Sequence, residues 1–141
     1  MRLNILKSAL AGSAVLSVSL ASAALSRTIY ECQIEDRGTN RGWLPNIVVV
    51  AYEPGAETVT VSDPYIEFAS GGPIEVKPTT DNDAQLSLKW KITLPAANQD
   101  DLNLTYSFTI LKADNRAKIS ALPHGYDNTF TSKGTCKVKK G

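Results

Sequence analysis

His124 is the single histidine of the 141-residue chain and so the first candidate for acid–base chemistry. It stands in Pro123-His124-Gly125-Tyr126, a turn composition, and no Gly-x-Ser-x-Gly elbow occurs anywhere in the sequence. A Ser-His-Asp triad needs three converging roles. Only one can be named here, and His124 reads as a surface turn residue. Asp81-Asn82-Asp83 offers oxygen ligands for calcium, but position 86 is Leu where the loop of an EF-hand requires Gly. Short Asx side chains bond their own backbone in turns, which accounts for that triplet and for Asp100-Asp101. Glu35-Asp36 fails as a glycosidase pair, because neighbours on a strand end point apart while the two carboxylates must face each other across the bond. No catalytic residue, no metal site and no cofactor is expected.

The two cysteines, Cys32 and Cys136, lack the Cys-x-x-Cys spacing of a zinc knuckle or a thioredoxin-type centre. Lys133, Lys137, Lys139 and Lys140 make the C-terminal end basic. Contact with an anionic envelope polymer or lipid surface is one reading of them; a solvated strand and tail is the reading preferred at this level. Asn103-Leu104-Thr105 has the form of a glycosylation sequon and receives no weight.

These residues must be carried by an exported chain. Arg2 and Lys7 open a segment that continues as small and apolar residues from Ala9 to Leu20 and ends in Ala21-Ser22-Ala23. That order is the one a secretory signal peptide requires, with cleavage expected after Ala23. Residues 24–141 then form the mature domain, periplasmic or extracellular. The apolar core is shorter than the roughly 20 residues of a membrane span, and no membrane span is expected elsewhere. Removing Arg2 and Lys7 leaves 13 basic against 14 acidic residues, a balance of about −1. Such a balance offers no electrostatic case for nucleic acid, whose binding depends on many phosphate-neutralising cations. In an oxidising compartment an even cysteine pair reads as a disulfide, Cys32 to Cys136.

Alternation is the main structural signal. From Gln85 to Leu94 the even positions are apolar (Leu86, Leu88, Trp90, Ile92, Leu94), and from Leu102 to Ile110 the pattern repeats. A period of two sets one face of a strand. Shorter runs fall at 28–34, 47–52, 58–61, 74–77, 117–121 and 129–138. Glu53-Pro54-Gly55-Ala56 has the order of a type II turn, and Ala113-Asp114-Asn115 is short enough for a hairpin. No helix is expected beyond a short turn near 96–101. The fold class is all-β: an antiparallel meander of about eight strands. Cys32 in the first strand and Cys136 in the last would bring the chain ends together, favouring an up-and-down, lipocalin-like barrel over a β-sandwich. The immunoglobulin sandwich is disfavoured because Gly134, not Tyr, stands two residues before the second cysteine. Tyr30, Trp90, Tyr106, Phe108 and Phe130 are the inward aromatics. They either fill the core or line a cavity for a small apolar ligand.

Tyr30-Glu31-Cys32, Trp90, Gly125-Tyr126-Asp127-Asn128 and Lys133-Gly134-Thr135-Cys136 resemble a group of small exported bacterial β-proteins, a likeness that brings no active site with it. The chain is also faintly similar to the periplasmic inhibitors of C-type lysozyme, in a Tyr-x-Cys start, a Ser-Gly loop and a late Lys-Gly. That likeness implies binding loops at Ser70-Gly71 and Lys133-Gly134. It departs from the pattern in having no Tyr soon after Ser-Gly and no Trp before Lys-Gly. The sequence thus points to a non-enzymatic exported domain that binds a small ligand or an extracytoplasmic protein. The alternatives are inhibition of a lysozyme-like hydrolase and a structural role in the envelope.

Overall fold

The computed structural model describes residues 27–38, 42–95 and 100–141; the leader and most of the expected turn at 96–101 lie outside them. Nine strands follow in order: β1 Thr28–Ile34, β2 Ile47–Tyr52, β3 Val59–Ser62, β4 Ile74–Val76, β5 Thr80–Asp81, β6 Gln85–Leu94, β7 Leu102–Leu111, β8 Arg116–Pro123 and β9 Phe130–Lys140. All pairings are antiparallel, in one sheet of order β4-β3-β2-β1-β9-β8-β7-β6-β5. The sheet curls into a half-barrel. Read around it, the strands follow chain order and β9 returns to β1. Among the described residues the ladder is broken only between β4 and β5. The all-β meander read from the alternation is therefore present, as one curled sheet rather than two packed ones.

Period-two patterning produces this arrangement directly. Leu86, Leu88, Trp90 and Ile92 of β6 and Leu104, Tyr106, Phe108 and Ile110 of β7 are all buried on the inner face. They meet Tyr30, Cys32, Val48, Val50 and Val61 from the other half of the sheet in one core. Turn chemistry sets the connections. Gly55 takes φ 82° and the Ala56 N–H donates to the Glu53 carbonyl at 3.1 Å, closing the expected turn. Asn115, at φ 56°, turns the β7–β8 hairpin.

Cys32 and Cys136 stand directly opposite each other on β1 and β9, with Cα atoms 3.9 Å apart, and form a disulfide. The Cys136 N–H points away from β1, donating to the Asn115 carbonyl at 2.7 Å. The pair thus occupies a non-hydrogen-bonded position of the β1–β9 ladder, the narrow kind where side chains approach most closely. The expected union of the two chain ends is present, and it accords with an oxidising, exported location.

One element was not anticipated. Pro64–Ser70 forms a two-turn helix, α1, between β3 and β4. Asp63 caps it, its Oδ1 accepting from the N–H groups of Tyr65 (2.7 Å) and Ile66 (2.8 Å), with Pro64 following in the first turn. Gly71 ends it at φ 73°, a left-handed conformation that favours glycine. The helix packs on β6 and buries Ile66 completely, so it covers the inner face where the sheet is open. Asp63 is itself buried, and its Oδ2 has no hydrogen-bond partner among the described residues. Burial pushes its carboxyl above the ordinary 3.8, against the pull of the two cap N–H groups. An Asp63→Ala protein is expected to lose about 1–2 kcal/mol of stability through the missing cap, measurable by urea unfolding.

A polar cluster spans the open seam. The Tyr52 hydroxyl at the end of β2 donates to Asp81 of β5 at 2.9 Å, and Lys112 after β7 reaches the same carboxylate at 2.8 Å. Lys112 also lies 5.3 Å from the centre of the Tyr52 ring. The hydrogen bond from Lys112 holds the Asp81 carboxyl below 3.8, helped by Tyr52 and opposed by burial. A lowered carboxyl contributes stability that is complete above its unfolded value and lost as pH falls through its folded one. Wild type is expected to exceed Asp81→Asn in stability by about 1 kcal/mol at neutral pH. In a pH series of denaturant melts that gap closes as pH drops below 3.8.

Candidate functional site

Inward positions of β6 to β8 belong largely to the core, and the outward positions of β6 to β9 carry most of their polar and charged side chains. Seven of these are cationic: Lys89 and Lys91 on β6, Arg116 and Lys118 on β8, Lys133, Lys137 and Lys139 on β9. None of the four strands contains an Asp or Glu. The other outward residues are largely hydroxyl-bearing: Ser87, Thr93, Thr105, Ser107, Thr109, Ser120, Thr131 and Thr135. The register sets them in rows across the sheet. Ser87, Thr109, Lys118 and Lys133 form one row, and Lys89, Ser107, Ser120 and Thr131 the next.

Lys118 and Lys133 are therefore direct cross-strand neighbours of like charge, an arrangement that costs stability unless something negative lies between them. Neither forms an ion pair among the described residues, and the same holds for Lys89 and Lys91. Around this pair the outer surface is hollowed into an open concavity of about 400 Å³, lined by Arg37, Ser107, Thr109, Lys118, Ser120, Thr131 and Lys133 among others. Arg37 follows β1 and lies 3.7 Å from Glu35 at the rim. Ser87 and Thr109 hydroxyls bond each other at 3.0 Å, fixing one corner of the row. Farther along β9, Lys137 faces Glu31 across the ladder and Lys139 reaches that carboxylate at 3.4 Å.

Charge is thus segregated. Residues 27–78 hold eight acidic and four basic residues, whereas 102–141 hold two acidic and seven basic ones. A domain that is almost neutral in sum presents a cationic outer face on one half. An array of ammonium groups and hydroxyls in a shallow hollow can hold carboxylate, sulfate or phosphate groups by charge-assisted hydrogen bonds.

Of the residues singled out in the sequence, Lys133, Lys137 and Lys139 lie on this outer face and the others fall elsewhere. Ser70 ends α1 and Gly71 is its C-cap, so the Ser-Gly pair closes a helix. Lys133 and Gly134 lie within β9 rather than in a loop, and their side-chain positions face opposite ways. Among them Lys133 lines the concavity. Gly134 is buried against β1, where a Cβ would run into the carbonyl of Gln33.

Tyr30, Trp90, Tyr106 and Phe108 are buried in the core. Trp90 stacks on Tyr106 (5.8 Å between centroids) and leans on Phe108 (6.1 Å) within that core. The Tyr106 hydroxyl donates to the Trp43 carbonyl at 2.9 Å, and burial pushes its pKa strongly upward. Phe130 is half-buried and stacked on Trp43 at 4.8 Å, with Tyr126 edge-on to the same indole. None of the five lines the concavity.

His124 is exposed, its Nε2 2.7 Å from the Thr105 hydroxyl. Asn82 Oδ1 accepts from the N–H groups of Ala84 and Gln85, the backbone-bonded turn expected of that triplet. Among the described residues no group of acidic, His or Cys side chains is placed to hold a metal ion. No protein-family model, no curated protein and no solved structure matches this chain.

Proposed function

We propose that this protein is an exported, non-enzymatic binding domain that holds an anionic ligand on the outer face of β6–β9, anchored between Lys118 and Lys133. One observation carries the reading: two lysines with no ion pair among the described residues stand side by side in a hollow of a sheet half that has no carboxylate in its four strands. Like charges held this close are costly in the ligand-free protein. An anion placed between them converts that cost into attraction. Export is supported by the leader-like residues 1–23 and by the disulfide. The burial of Trp90, Tyr106 and Phe108 against one another favours a ligand bound outside the half-barrel over an apolar ligand bound within it.

Tripolyphosphate serves as a compact probe. Titration calorimetry at low salt is expected to show binding that weakens as salt is raised. The Lys118→Gln/Lys133→Gln double variant should lose at least about tenfold in affinity, equivalent to two contacts of about 0.7 kcal/mol each. Equal affinity in wild type and double variant, or no binding by wild type, would contradict the reading.

A further inference from the structure

The cations do not stop at the edge of the hollow. From Lys89 on β6 the outward positions lead diagonally through Lys118 and Lys133 to Lys137 on β9. Three strand spacings and three steps of two residues along the ladder give this path a length of roughly 25 Å. That exceeds any single sugar or phosphate group. Lys91 and Arg116 flank it, and Ser107, Ser120 and Thr135 stand between the charges.

We infer that the ligand is a linear anionic glycan laid across β6–β9, with its carboxylate or ester groups on the lysines and its sugar hydroxyls on the Ser and Thr side chains between them. This rests on the reading of the Lys118–Lys133 hollow given above. Polymers that alternate hydroxyls with anionic groups match a surface that alternates hydroxyls with ammonium groups. Single-stranded nucleic acid is bound by stacking its bases on aromatic rings. The outward positions of these four strands carry none, since Trp90, Tyr106 and Phe108 all point into the core. Amphipathic membrane anchors set an apolar face beside the charges. Here Leu111 and Leu122 are the outward apolar residues of the four strands, too few to make one.

Oligogalacturonates of two to ten sugars, titrated into the disulfide-bonded mature chain, test this. Affinity is expected to rise about tenfold between dimer and hexamer as Lys89, Lys91 and Lys137 come within reach. The Lys89→Gln/Lys91→Gln variant should lose most of that gain, the Lys118→Gln/Lys133→Gln variant should lose binding at every length, and Lys77→Gln should match wild type. Length-independent affinity that still requires Lys118 and Lys133 would overturn the glycan track and leave the anion site standing. Failure of the Lys118→Gln/Lys133→Gln variant to weaken any oligomer, or absence of binding at all lengths, would overturn the track, and the tripolyphosphate titration then decides the anion site separately. Oligothymidylate of equal charge, or vesicles rich in phosphatidylglycerol, binding as tightly as the hexamer would overturn the choice of a glycan.

Discussion

A Cys32→Ala/Cys136→Ala protein is expected to lose about 4–5 kcal/mol of stability, the largest single effect in this fold. The cause lies chiefly in the unfolded chain. The disulfide closes a loop of 104 residues, and an unfolded chain tied over that length forfeits a large share of its conformations. Its native position agrees with the topology, because β1 and β9 are already paired from Thr28 to Ile34 and the two sulfurs bridge residues in register. Cys32 is fully buried, so truncation there also leaves a small void. Urea unfolding of the oxidised protein and the double variant measures the difference. A loss below about 1 kcal/mol would show that the unfolded chain holds its ends together without the bond.

Gly134→Ala is expected to cost about 3 kcal/mol, at the upper end of overpacking effects. The Cβ of an alanine would meet the Gln33 carbonyl oxygen and carbon, which are ladder backbone and cannot turn aside as a side chain would. The neighbouring Lys133→Gln, on an exposed outward position, should change stability by no more than about 0.5 kcal/mol while weakening anion binding. Two adjacent residues of one motif are thereby assigned to different causes. Gly134 serves the approach of β1 to β9, and Lys133 serves the outer face. Thermal melts of both variants, set beside tripolyphosphate titrations, separate the two roles. Equal destabilisation by both would contradict that division.

Strand patterning made most of the fold legible. The alternations at 85–94 and 102–110 determined both the elements and their inward faces, and the cysteines in the first and last strands implied the junction of the chain ends. Helix α1 escaped because two turns are too short for a 3.6-residue period to declare itself. Its signals were nevertheless present in Asp63-Pro64 as cap and first residue and in Gly71 as terminator. The candidate site was hidden by summation. A total charge near zero concealed the contrast between residues 27–78 and 102–141.

The four C-terminal lysines drew notice as a tail, yet Lys133 belongs with Lys118 through the β8–β9 register. That pairing is set by the hairpin between the two strands. It is a property of the folded sheet that composition does not express. Of the inward aromatics, Tyr30, Trp90, Tyr106 and Phe108 are buried in the core, with Trp90 packed against Tyr106 and Phe108, while Phe130 is half-buried against Trp43.

A ligand held on the outer face of β6–β9 leaves a footprint that can be read residue by residue. Backbone amide and lysine Nζ resonances followed in an NMR titration with an oligogalacturonate hexamer supply it. Shifts are expected to concentrate at Lys89, Ser107, Lys118, Ser120, Thr131 and Lys133, with α1 and β2–β4 unmoved. Shifts confined to α1 and β2–β4, or to the aromatic cluster of Trp43, Tyr126 and Phe130, would contradict that placement.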